Sequence, residues 1–174
     1  MPMLILISGL PCTGKSSLSE ALATELAVPV FSVDPIEAAL WRSGIKPGFE
    51  TGIAAYEVAA ALAGEQLKLG HSAIIDAVNP VEAARKTWRD LSAIYHVRLV
   101  LIETHCSDIG LHRKRVEDRV RNIPGMPEIT WDRVEERRLE YEPWQEERLV
   151  LDSVQPVHEL VGMALDYICA SHES

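Results

Sequence analysis

The stretch Gly9-Leu10-Pro11-Cys12-Thr13-Gly14-Lys15-Ser16 decides how the whole chain is read. It satisfies the phosphate-binding loop pattern Gly-x-x-x-x-Gly-Lys-[Ser/Thr] at every fixed position. The apolar run 3–7 before it reads as a buried parallel strand, and residues 17–26 after it carry apolar side chains at helical spacing. Strand, loop and helix give the pattern its physical meaning. Glycines at 9 and 14 let the backbone turn several N–H groups inward, forming an anion nest at the positive end of the following helix. Lys15 is then placed to reach the β- and γ-phosphates of ATP, and the Ser16 hydroxyl to hold Mg²⁺. Gly9 through Gly14, with Lys15, Ser16 and Ser17, form the expected nucleotide-binding set. The rival reading, a glycine-containing turn with a solvated lysine, does not account for the strand and helix on either side.

Length and composition bound the rest. A chain of 174 residues with 47% hydrophobic and 25% charged residues suits one globular domain, here taken as 1–174. Its formal net charge of -9, from 26 acidic against 17 basic residues, opposes tight non-specific binding to nucleic acid. A small acceptor held in a local pocket remains compatible. Cys12, Cys106 and Cys169 are far apart, with no Cys-x-x-Cys spacing, so neither a disulfide framework nor a zinc site is expected. Residues 1–7 lack a basic leader segment, and their apolar run is too short to span a membrane. A cytoplasmic protein without membrane partners is the resulting expectation, with its oligomeric state left open.

Strand and helix patterns alternate along the chain. Strands are expected at 3–7, 28–33, 72–75, 97–102 and 148–151, which predicts a parallel sheet covered on both faces. Asp34-Pro35 reads as cap and first residue of a helix to about Trp41, and 44–52 reads as a loop. A long Ala-rich helix covers 53–69, where Gly64 marks close packing. Asn79-Pro80-Val81-Glu82 opens a helix to about Tyr95. A charged helix at 109–121 leads into Pro124-Gly125-Met126-Pro127, a short lid segment spanning about 109–130. Thr130 caps a helix to Tyr141, and 156–170 is the last helix.

Ligands of such sheets sit at the carboxyl ends of the strands, and that rule selects residues. Asp34, after the second strand, is a candidate general base for an acceptor hydroxyl, although Asp before Pro is also an ordinary helix cap. Asp76 ends the third strand, where a carboxylate holds magnesium or binds substrate. The next residue is Ala77, not the glutamate that motor-type ATPases use to activate water. Arg42, Asn79 and Arg85 are further candidate substrate contacts, with capping the alternative for Asn79 and a surface helix the alternative for Arg85.

The cluster Arg113, Lys114, Arg115, Arg119 and Arg121 stands out against the acidic background. Arg115 and Arg119 are four apart, a spacing that puts two guanidinium groups on one helix face over a transferring phosphoryl group. Interspersed Glu117 and Asp118 keep open a salt-bridged surface helix. Cys12 is oxidisable in an electropositive loop but has no assigned catalytic part. His105 and Cys106 read as loop residues, and Trp41, Trp88, Trp131 and Trp144 as packing.

Taken together, these residues resemble the P-loop kinases that phosphorylate small molecules or nucleic-acid ends. That group includes gluconate kinase, chloramphenicol phosphotransferase, the polynucleotide 5′-kinase domain and the zeta toxins, with AAA-domain ATP-binding proteins of similar size. The resemblance rests on Gly9 to Ser16, Val33-Asp34, Ile75-Asp76-Ala77-Val78-Asn79 with Arg85, Arg115 with Arg119, and Tyr141-Glu142-Pro143-Trp144. It implies a three-layer α/β P-loop NTPase fold with sheet order 2-3-1-4-5, and it implies Asp34 as base. Val78 stands where the group often has threonine.

The expected activity is ATP- and Mg²⁺-dependent phosphoryl transfer to a hydroxyl of a small molecule. Lys15, Asp34, Arg115 and Arg119 are its expected catalytic residues. A nucleoside, nucleotide or polynucleotide-end kinase is the first alternative, and the net charge opposes a long polyanion. A nucleotide-binding regulatory ATPase without an acceptor is the second, and Ala77 opposes it. The pocket for the acceptor is expected from residues 43–56 and 122–129.

Overall fold

Short apolar runs that are buried on both faces cannot stand as amphipathic hairpins, and here they pair in parallel through helical crossovers. The computed structural model describes residues 1–120 and 122–170. Strand β1 (Met3–Ser8) is central. It pairs with β3 (Ala73–Asp76) on one side and β4 (Arg98–His105) on the other, and β2 (Val30–Ser32) and β5 (Leu149–Asp152) form the edges. All four pairings are parallel and the order is β2-β3-β1-β4-β5, as the resemblance implied. The register sets Ile7 and Ser32 beside Asp76, Ser8 beside Glu103, and His105 beside Asp152. The strand ends therefore converge on one edge of the sheet.

Alternation within each strand feeds two cores. Leu4, Leu6, Ala73, Ile75 and Leu101 pack against α2 (Val33–Arg42), α3 (Phe49–Lys68) and α4 (Glu82–Ile94). Ile5, Ile7, Ile74, Val100 and Ile102 pack against α1 (Lys15–Leu26) and α7 (Val157–Ala170). Each fully buried Leu or Ile contributes roughly 1.5–3 kcal/mol, so both faces hold the central strand rigid. Gly64 of α3 faces the Tyr95 ring, where an added Cβ would lie 3.0 Å from the hydroxyl oxygen. That is the close packing its glycine marked. Helices α5 (Ile109–Asp118) and α6 (Trp131–Glu140) follow β4 and meet through His112 and Trp131. Among the described residues, no helix is long and apolar enough to cross a membrane.

Several boundaries depart from the sequence reading, each for a local reason. Helix α2 begins at Val33 with Ser32 as N-cap, so Asp34 lies inside the first turn and is not the cap. Pro35 is tolerated there because first-turn N–H groups have no partner within the helix. Helix α3 starts at Phe49, not at 53, because the Thr51 hydroxyl accepts from the Gly48 N–H at 3.1 Å and donates to the Gly48 carbonyl at 2.8 Å. Helix α4 starts at Glu82 after Val81, so Asn79 is no cap. Strand β4 runs on to His105, which is therefore a strand residue. Helix α5 stops at Asp118, and Arg119 leaves it in an extended conformation at ψ 129°. Arg121 lies outside the described residues.

Candidate active site

The phosphate-binding loop leaves β1 at the centre of the converging strand ends, and its glycines are sterically required. Gly9 adopts φ +140°, and a Cβ there would sit 2.2 Å from the Thr104 carbonyl oxygen. Gly14, at φ +91°, would bring a Cβ within 3.2 Å of Ser153 Cβ while serving as N-cap of α1. The Thr13 hydroxyl donates to the Leu10 carbonyl at 2.7 Å and lies 2.8 Å from the Thr104 hydroxyl, tying the loop to β4. Lys15 is buried, and its ammonium donates to the Leu10 carbonyl at 2.9 Å. Burial lowers its pKa, opposed by attraction from Asp76 and Asp34. The loop thus satisfies its own lysine through the Leu10 carbonyl.

Asp76 Oδ2 accepts from the Ser16 hydroxyl at 2.8 Å and from the Ser32 hydroxyl at 3.1 Å. This compact oxygen set fits Mg²⁺, which is commonly held by one or two carboxylates with substrate phosphates completing an octahedron. Among the described residues no group of three or more His, Cys, Asp or Glu forms a self-sufficient metal cage. Asp34 is half-buried and lines a pocket of about 180 Å³ with Lys15, Ser16, Asp76, Arg119 and Ile123. A second cleft of about 590 Å³ lies between α5, the loop after β5 and the start of α1, and Ser17, Lys114, Arg115 and Gln155 are among its lining. Lys15, Ser16 and Arg119 border both spaces. The loop and these three side chains therefore stand between a larger and a smaller chamber, an arrangement suited to passing a group from one to the other.

The two lid arginines do different work. Arg115 donates to the Ser153 hydroxyl at 2.8 Å and to its carbonyl at 2.7 Å, fastening α5 to the segment after β5. Arg119, beyond the helix end, reaches back to Cys12 Sγ at 3.5 Å. The shared helix face expected from their spacing does not form, because α5 ends between them. Arg113 is exposed and paired with Glu117, the salt-bridged surface pattern.

Three expected substrate contacts belong to the framework. Asn79 is fully buried at φ +51°; its amide nitrogen donates to the Ser8 hydroxyl at 2.8 Å and its oxygen accepts from the Trp88 indole at 2.7 Å. Arg85 is 1% exposed and donates to the carbonyls of Asn79, Glu142 and Pro143. The guanidinium also stacks 4.0 Å from the Trp144 ring centre. Neither side chain is free to bind a substrate. Arg42 donates to the Pro124 carbonyl, latching the loop that carries Ile123 onto the end of α2.

Sequence reasoning passed over Ser32 and His112. Ser32 stands two residues before Asp34 and carries a hydroxyl at a strand end, a signal that was present. His112 and Val116, one helical turn apart, form the buried stripe of α5, but a single histidine beside the five charged residues of that helix gives little periodicity.

Residues 4–141 match the family profile described as AAA domain. No curated protein matches the chain. Among solved structures, a candidate kinase from Chloroflexus aurantiacus is 22% identical, with a TM-score of 0.75 and 97% of each chain covered. The APS kinase of Mycobacterium tuberculosis, solved with AMPPNP and APS, is 15% identical, with a TM-score of 0.74 and 96% of this chain and 97% of that chain covered. A gluconokinase from Sinorhizobium meliloti is 20% identical, with a TM-score of 0.68 and 97% and 93% covered. At these identities the likeness carries the fold.

Proposed function

Because the chain belongs to the AAA domain family, we propose that it uses its phosphate loop as an ATP-dependent kinase, transferring the γ-phosphoryl group to a hydroxyl of a small molecule. One observation carries the reading: Asp34 lines the smaller pocket together with Lys15, Ser16, Asp76 and Arg119. In this reading the larger cleft takes the nucleoside part of ATP and the smaller one the acceptor. Asp34 takes the acceptor's hydroxyl proton while the acceptor oxygen bonds to the γ-phosphorus and the bond from that phosphorus to the ADP oxygen breaks. Lys15 and Arg119 face the charge on the transferring oxygens, and the loop N–H groups hold the phosphates left behind. Ser16 and Asp76 would hold Mg²⁺, which neutralises phosphate charge when bound.

The electrostatics of the smaller pocket favour an acceptor without a negative charge. Its lining places Glu20, Asp34 and Asp76 against Lys15 and Arg119, and in this reading both cations are engaged by phosphate. Arg42 and Arg85 are committed to backbone carbonyls, and Arg89 is paired with Glu82 and Glu146. A neutral polyol or an amino alcohol fits this surround better than an aldonic acid or a nucleotide.

The test is an ADP-release screen over acceptors matched in size and differing in charge, run beside Asp34→Asn. The expected result is background ATP consumption in water and stimulation by neutral or aminated hydroxyl compounds. In Asp34→Asn that stimulation should fall about 10²-fold or more, the scale of a lost general base, with nucleotide binding kept. Fast turnover independent of any acceptor would replace the kinase with an ATPase, and unchanged turnover in Asp34→Asn would remove its part as base.

A further inference from the structure

A histidine outside the loop pattern grips the loop from the lid. His112 is 1% exposed, and its Nε2 lies 2.8 Å from the Pro11 carbonyl oxygen. A carbonyl only accepts, so Nε2 carries the proton. The ring packs edge to face with Trp131, the first residue of α6, with centroids 5.3 Å apart and planes at 86°. Arg138 of the same helix stands 5.7 Å from the Trp131 ring centre on its face. Burial lowers its pKa, the hydrogen bond to the Pro11 carbonyl opposes this, and the cations Arg138 on α6, Arg115 on its own helix and Lys15 on α1 lower it further. The ring is therefore a neutral donor at neutral pH.

The consequence follows from the planarity of the peptide bond. In a trans peptide the carbonyl and the next N–H point in opposite directions, so holding the Pro11 carbonyl toward α5 turns the Cys12 N–H away from α5. This peptide needs holding: Cys12 sits at φ +62°, a region that side chains other than glycine rarely adopt. Relaxing it would rotate one N–H out of the nest. We propose that His112 is a positioning residue for the phosphates, orienting the Cys12 N–H and coupling the packing of α5 on α6 to the shape of the loop. The proposal rests on reading the loop as a nucleotide site, and it assigns to the lid a way of tuning that site without touching the ligand.

Titration with a fluorescent ADP analogue and Mg²⁺, with adenosine and ADP as competitors, separates the possibilities. Three full-length proteins are compared: wild type, His112→Leu and His112→Gln. Leucine keeps much of the volume and removes the donor, whereas the glutamine amide can still donate to the Pro11 carbonyl. The expected result is that His112→Leu binds ADP about tenfold more weakly or worse, the scale of losing one charge-assisted contact, while adenosine competes as in wild type. His112→Gln should return to within about threefold of wild type. If His112→Leu fails to melt cooperatively, His112→Asn replaces it, since its donor is too short to reach Pro11 and the same phosphate-selective loss is expected. ADP binding equal to wild type in the donor-less protein, or an equal loss for adenosine and ADP, overturns the proposal. A wild-type protein that takes up no nucleotide overturns the site reading itself, and the positioning role with it.

Discussion

Gly9 packs its backbone so closely on β4 that no side chain fits, with a Cβ falling 2.2 Å from a carbonyl oxygen that is itself part of the sheet edge. The φ of +140° adds a conformational penalty. Gly9→Ala should therefore lower stability by about 2–4 kcal/mol, read as a drop in the thermal midpoint, and weaken nucleotide binding in whatever fraction stays folded. Asn79 poses a different problem at the same scale. Its two side-chain ends satisfy Ser8 and Trp88 inside the protein, so Asn79→Ala leaves an indole N–H and a hydroxyl unpaired. A loss of about 2–4 kcal/mol is expected by denaturant melting. Because no substrate contact is lost, the KM of the folded enzyme should stay as it was. A rise in KM with unchanged stability would return Asn79 to the acceptor site.

Helix α5 owes its place to one buried stripe and two tethers. Its N-cap Asp108 accepts from the Leu111 N–H at 2.9 Å, and Arg115 ties its far end to Ser153. His112 makes this element pH-sensitive, and the sign follows from its lowered folded pKa. Below about pH 6.5 the unfolded chain binds a proton that the folded ring resists, so the unfolded state gains. The contribution is complete above about pH 6.5 and is lost as pH falls toward the folded value. Melting curves between about pH 8 and 5 should show the wild type losing stability more steeply than His112→Gln, whose amide does not titrate. Helix α6 has a hydroxyl cap, Thr130, accepting from the Arg133 N–H at 3.3 Å. Thr130→Ala should cost about 1 kcal/mol and show first as faster hydrogen exchange in the first turn of α6.

At the scale of the molecule, Arg85 fastens the segment after α6 to the start of α4. Its guanidinium reaches Asn79, Glu142 and Pro143 together and stacks on Trp144, and the Glu82 N–H donates to the Glu142 carboxylate. Lysine has a point charge in place of this planar fork, so Arg85→Lys should destabilise by about 2–3 kcal/mol and raise exchange across residues 141–144. The segment after α6 would then lose its anchor on the start of α4, while Arg42 and Arg115 keep their own contacts with Pro124 and Ser153. Much of this architecture was legible in order along the chain. The apolar runs, the loop pattern and the carboxylates after β2 and β3 are local signals, because strand burial and phosphate cradling are set by residues close in sequence. Boundaries were less legible where a cap had to be chosen among neighbours: Ser32 displaced Asp34, and Gly48 with Thr51 began α3 early. The functions of most of the arginines were not legible. Arg42, Arg85, Arg115 and Arg119 look alike as residues, yet one latches a loop, one is buried under Trp144, one holds Ser153 and one reaches the phosphate loop. What the sequence determined by itself was the phosphate cradle, the doubly covered sheet and the edge on which the site lies, all of which follow from local backbone conformation and hydrophobic periodicity. What only the tertiary structure decided was which long polar side chains face the site and which are spent on distant carbonyls, because a guanidinium reaches partners tens of residues away and its choice depends on the packed whole.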